Sequence, residues 1–184
     1  MKTEQYFKKY FKNIYQNLES IESVQLEQTA SMVWATYKAD KKVIVVGNGG
    51  SAAMASHVAV DFVKAASIRA INFNEADLIT CFANDYGYEN WVAKALEAYS
   101  DKGDLVILIS SSGKSQNILN AAEKANEMGL SVITVSGFLT DNPLRKLGDL
   151  NLWVDSTEYN IVEMTHHVWL VAISDYLIES EGLA

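Results

Sequence analysis

The chain has 184 residues, 49% hydrophobic and 21% charged, enough to bury a sizeable core in one domain. Its formal net charge of -8 argues against nucleic acid and against an anionic membrane as partners, since both recruit basic surfaces. A single cysteine excludes an internal disulfide, no apolar run approaches a membrane span, and the opening MKTEQYFKKYFKN lacks the apolar stretch of a signal peptide, so the expectation is a cytoplasmic protein.

Residues 3–38 read as two helices. Tyr6, Phe7, Tyr10, Phe11, Ile14, Tyr15 and Leu18 recur at helical spacing, and Leu26, Ala30, Met32, Val33 and Ala35 continue the pattern. The aromatic stripe is wide for the outside of a small monomer. The expectation is a surface used to associate with other copies, with burial in the core as the alternative.

Residues 42–46, Lys-Val-Ile-Val-Val, read as a first short buried strand, followed by Gly47-Asn48-Gly49-Gly50-Ser51 and a small-residue helix from Ala52 to about Lys64. Residues 68–73 read as a second strand, Asp77–Phe82 as a short helix or turn, Asn84–Tyr88 as a loop, and Trp91–Tyr99 as a helix. Residues 105–109 are five consecutive apolar residues, the mark of a strand buried on both faces. Ser110, Ser111, Ser112, Gly113, Lys114 and Ser115 follow, and then a helix over Asn117–Met128. Gly129 suits a helix end, residues 131–135 make another strand, Asn142-Pro143-Leu144 opens a short helix, Leu150–Val154 is a last strand, and Tyr159–Glu179 a terminal helix. Strands alternating with helices imply an α/β, doubly wound parallel sheet behind the helical arms.

Two of these units share one layout: apolar strand, small polar loop, helix. In open α/β sheets such loops sit at the carboxyl ends of the strands, where ligands bind, so both are expected to face one pocket. A helix N-terminus with four nearby hydroxyls favours an anion, and a phosphate monoester is the natural guest. The alternative is that the serines only cap a helix, for which one would suffice.

Two nucleotide motifs are incomplete. Gly47-Asn48-Gly49-Gly50-Ser51-Ala52 fits G-x-G-x-x-A, but the next strand ends in Asn72, Phe73 and Asn74, without the acidic residue that would hold a ribose. Gly113-Lys114-Ser115 ends like a P-loop, but Leu108 stands where the first glycine belongs.

Taken together, the glycine loop with His57 beyond it, Ala83-Asn84-Asp85-Tyr86-Gly87-Tyr88, the serine loop and Val132-Ile133-Thr134-Val135-Ser136-Gly137 resemble the sugar isomerase (SIS) domain family, and within it the phosphoheptose isomerases. The resemblance covers nearly the whole chain. It implies a five-stranded parallel sheet in a three-layer fold, and a homotetramer built on the N-terminal helices. It also implies aldose–ketose isomerisation of a phosphosugar such as sedoheptulose 7-phosphate, feeding surface polysaccharide synthesis. By the same resemblance Ser110, Ser111, Ser112 and Ser115 hold the phosphate, while Asn48, Gly49, Gly50, Ser51 and Asp85 line the sugar.

The chain departs from the family where the chemistry lies. Proton transfer between adjacent carbons needs a carboxylate base and a second acid–base group. The family's glutamate falls at Asp61, one methylene shorter, and the glutamine and histidine of its terminal helix fall at Val162 and Leu170. Glu163 and His166 are the replacements expected to serve as proton partner to Asp61. Glu163, His166 and His167 stand at i, i+3 and i+4, as His57 and Asp61 stand at i and i+4, so each set shares a helix face. No cofactor is required by this reading. Some family members carry a metal here, which would make His57, Asp61 and His166 zinc ligands. The loss of the usual terminal-helix pair leaves a second reading, a non-catalytic SIS protein that binds a phosphosugar or a protein partner, as a replication-initiator-binding relative does.

Overall fold

A computed structural model describes residues 3–183; residues 1, 2 and 184, the extremities of the expected domain, lie outside the described residues. Helices α1 (Thr3–Leu18) and α2 (Ser23–Lys38) precede five strands: β1 (Val43–Gly47), β2 (Ala70–Ile71), β3 (Leu105–Ser110), β4 (Ser131–Ser136) and β5 (Leu150–Trp153). Helices α3 (Gly50–Lys64), α4 (Ala76–Tyr86), α5 (Trp91–Tyr99), α6 (Gln116–Glu127) and α7 (Tyr159–Glu181) connect or follow them, with a 3-10 turn at Pro143–Lys146. The strands pair in the order β2-β1-β3-β4-β5, all parallel. This is the α/β sheet expected.

β1 and β3 are buried along their whole length, because helices cover both faces. Val45, Ile107, Phe62 and Trp169 pack on the side of α2, α3 and α7; Val46, Leu108, Ile118 and Trp91 pack on the side of α5 and α6. Full burial of each large apolar side chain contributes about 1.5–3 kcal/mol. Trp91 and Trp169 are thus core residues.

Two local expectations are corrected. The strand expected over 68–73 pairs only at Ala70–Ile71, because it lies at the sheet edge with β1 as its single neighbour. The segment read as a short helix and a loop is one helix, α4, which runs to Tyr86. Leu78, Ile79, Phe82 and Ala83 give it a face that packs on the core, and this overrides the polar Asn84-Asp85 pair. It ends at Gly87 (φ 85°), whose N–H donates to the Ala83 carbonyl at 3.1 Å.

The aromatic stripe of α1 is not core. Tyr6, Phe7, Phe11 and Tyr15 are exposed, Phe11 at 65%, and Asn17 is the one buried residue of the helix. None of the described helices is long and apolar enough to cross a membrane.

Candidate active site

The chain reverses direction across the sheet between β1 and β3, so the loops after these neighbouring strands open into one crevice. Gly47 and Ile109 are register partners, which brings the glycine loop and the serine loop out side by side. Between them lies a cavity of about 130 Å³, lined by Asn48, Ser51, Ser110, Ser111, Ser112 and Ser115, together with Ile109 and, from α7, Tyr159 and Glu163.

The serine loop is a tight turn. The N–H of Gly113 donates to the Ser110 carbonyl at 2.9 Å, and Gly113 (φ 64°) needs both its left-handed backbone and its missing side chain, since a Cβ would strike the Asn142 amide. The Ser110 hydroxyl donates to the Ser115 hydroxyl at 3.1 Å, and the Lys114 N–H donates to the Ser112 hydroxyl at 3.3 Å. Ser115 occupies the N-cap of α6, yet its side chain makes no capping bond. The buried Ser111 hydroxyl has no partner at all. The serines are therefore not spent on capping. A buried hydroxyl without a partner costs about 1–3 kcal/mol, which an anion accepting its proton would recover.

The glycine loop is built for close approach. Gly49 (φ 55°, ψ -120°) adopts a backbone open to glycine, and a Cβ on Gly50 would collide with the Glu163 carboxylate. Glu163 thus presses against the first turn of α3. Burial pushes its carboxyl above the ordinary carboxylate range.

Asn48 is fixed from two directions. Its amide and that of Asn117 bond reciprocally, both at 2.9 Å, and Tyr88 donates its hydroxyl proton to Asn48 Oδ1 at 3.2 Å. Asn117 and Tyr159 are not among the site residues that the sequence points to, and Tyr88 enters there only within the Ala83–Tyr88 motif. For Tyr159 a signal existed: it stands four residues before Glu163, on the same face of the terminal helix.

The cavity thus gathers Asn48, Ser51, the four serines and Glu163, with Gly49 and Gly50 forming the loop beside it. It does not gather the rest. Asp85 sits exposed in the last turn of α4, accepting from the Asn84 amide at 2.9 Å and lying 3.9 Å from Cys81 Sγ, and is not among the residues that line the cavity. Asp61 stands eleven residues beyond Gly50 on α3, about 16 Å along the axis at 1.5 Å per residue, and does not line it.

His166 is the clearest correction. Its ring is fully buried and turned toward β4, where Nε2–H donates to the Ser136 carbonyl at 2.9 Å and Nδ1 has no partner. Burial lowers its pKa to about 4, which leaves a neutral packing residue and not the expected proton partner. Its neighbour His167 is half-buried and points elsewhere, toward α3. His167 Nε2 lies 2.7 Å from His57 Nδ1, and His57 Nε2 lies 3.4 Å from Asp61 Oδ2.

The zinc set of His57, Asp61 and His166 therefore does not converge, and no three His, Cys, Asp or Glu side chains among the described residues are placed to hold a metal. The family's other polar positions are Val162 and Leu170 here, both fully buried in apolar surroundings.

Comparison with known proteins agrees with this architecture. Residues 5–137 match the family model described as SIS domain. A phosphoheptose isomerase of Helicobacter pylori (strain P12) is 32% identical over 165 residues, 85% of either chain, and one of Crocosphaera subtropica is 36% identical over 148 residues, 77% of this chain and 74% of that one. The solved phosphoheptose isomerase of Neisseria gonorrhoeae superposes with a TM-score of 0.88 at 25% identity, covering 97% of this chain and 100% of that one. That of Francisella tularensis gives 0.87 at 24% identity over 96% of each, a likeness of fold. By the family match and by relatives above 30% identity along most of its length, the chain belongs to the SIS domain family.

Proposed function

We propose that this protein is an aldose–ketose isomerase of the phosphoheptose isomerase type, with sedoheptulose 7-phosphate as substrate. One observation carries the reading: a cradle of four serine hydroxyls, one of them buried without a partner, and a single carboxyl group of raised pKa share one cavity. The hydroxyls and the start of α6 suit a phosphate. Glu163 suits proton transfer, because a base whose pKa lies nearer neutrality accepts a carbon-bound proton and returns it more evenly. In the ketose-to-aldose direction Glu163 takes the proton from C1 while the C2 oxygen takes one from solvent, giving an enediol. Glu163 then returns its proton to C2 as the O1 proton passes to solvent, forming the aldehyde. Asn48 keeps one amide proton free beyond its bond to Asn117, enough to orient a sugar oxygen. A carboxyl group placed against the ligand cavity favours this reading over a purely binding SIS protein.

Asp61, the base expected from the resemblance, has one route back into the reaction: delivery by a second copy of the chain. The exposed aromatic face of α1 supports such an assembly, in line with the expected homotetramer. The test is proton exchange followed by NMR in heavy water. Wild type should incorporate deuterium into sedoheptulose 7-phosphate, Glu163→Gln should not, and both should bind it. Binding without exchange in the wild type would sink the isomerase reading. Loss of exchange in Asp61→Asn as well would show that the neighbouring copy supplies a second carboxylate.

A further inference from the structure

The cavity is lined by the hydroxyls of the serine loop and, from α7, by Tyr159 and Glu163. A space of about 130 Å³ holds a phosphate group and the first carbons attached to it, and Tyr159 is the exposed residue among those that line it, so it borders the side on which a longer sugar reaches solvent. That ring is 57% exposed, yet it does not hang free. It packs edge-on against Phe138, with centroids 4.8 Å apart and planes at 67°.

Phe138 has a backbone that a phenylalanine adopts only at a cost. Its φ is 58°, in the left-handed region, where an L side chain loses about 1–2 kcal/mol relative to glycine. Two bonds hold it there: its own N–H donates to the Ser156 carbonyl at 2.9 Å, and the Gly137 N–H donates to the Ser111 carbonyl at 2.9 Å. The second ties the strained corner directly to the phosphate loop. Glycine would occupy position 138 without penalty, so what the position supplies is the ring, and the ring's aromatic neighbour is Tyr159.

We propose that Tyr159, braced by Phe138, is the specificity-determining wall for the carbon chain of the phosphosugar. Resting on the isomerase reading, this assigns the site to long ketose phosphates over triose phosphates and bare phosphate. The aromatic face covers the C–H edge of the extended chain beyond the phosphate, and the phenol adds a hydrogen bond to one hydroxyl. The serine loop alone grips the phosphate and is blind to chain length.

The experiment is calorimetry of wild type, Tyr159→Ala, Tyr159→Phe and Phe138→Ala with three probes: sedoheptulose 7-phosphate, dihydroxyacetone phosphate and inorganic phosphate. We expect Tyr159→Ala to lose about tenfold in affinity for the seven-carbon ketose, equivalent to about 1.4 kcal/mol, and less than twofold for the other two. Phe138→Ala should show the same pattern at about threefold, and Tyr159→Phe should restore most of the loss. Equal losses on all three probes, or unchanged affinity for the long sugar, would overturn the wall. A wild type that binds inorganic phosphate and no ketose phosphate would overturn the isomerase reading itself. Melting curves of the variants separate misfolding from lost contact, and the exposure of Tyr159 leaves little fold to lose.

Discussion

The carboxylate of Glu163 occupies the space that a side chain on Gly50 would need, so the terminal helix and the glycine loop are fitted to one another at the ligand cavity. A methyl group at position 50 must push the carboxylate aside. Gly50 lies in the first turn of α3, where alanine is the better helix former. Gly50→Ala should therefore keep the melting temperature within a few degrees and lower turnover on sedoheptulose 7-phosphate at least tenfold. Loss of stability without loss of turnover would show that the fit is not functional.

Removal of hydroxyls should weaken phosphate binding in steps. Ser111→Ala deletes a buried group that has no partner without ligand, so the free protein should be unchanged or slightly more stable. Its affinity for phosphosugar should fall about ten- to a hundredfold, as one hydrogen bond to a charged acceptor is worth about 1.5–3 kcal/mol net of exchange with water. Calorimetry on Ser111→Ala and Ser115→Ala checks this, and unchanged affinity in both would remove the phosphate from the loop.

His166 makes stability depend on pH. Folded, it binds no proton until about pH 4, whereas in an unfolded chain it titrates near 6.5. The unfolded state therefore takes up the proton first as pH falls. Stability from this group is complete above about 6.5 and declines down to about 4, by up to about 3 kcal/mol. Denaturant unfolding at pH 7 and pH 4.5 should show a larger drop in wild type than in His166→Asn, whatever the offset between the two proteins at pH 7. Parallel drops would contradict the buried neutral ring.

The reciprocal amide pair of Asn48 and Asn117 joins β1's loop to α6. Asn117→Leu removes one partner and leaves Asn48 with Tyr88. We expect a stability loss of about 1–3 kcal/mol, the cost of an orphaned polar group, with KM for the sugar raised more than kcat is lowered. A change confined to kcat would mean that Asn117 acts on the reacting carbons instead of on the placement of Asn48.

The sheet and the serine loop at the start of α6 were legible in the chain because their signals are local. Five apolar residues before Ser110 have no stable place except between two helical layers, and small residues after a strand leave a helix N-terminus open. Sequence spacing also placed Glu163 beside His166 and His167 on one helix. It could not say which of them faces the ligand. One residue of helix is a rotation of about 100°, and packing alone decided that His166 enters the core while His167 meets His57. The reach of Asp61 was likewise a matter of distance along a rigid helix, which an i to i+4 pattern does not measure. Asn117, Tyr88 and Tyr159 arrive from separate segments and meet Asn48 or the serine loop only once β1 and β3 pair. Fold class and the serine loop at a helix start thus follow from local patterning, whereas which acidic residue lines the cavity beside that loop, and what else lines it, follow from contacts between distant segments, which tertiary packing alone creates.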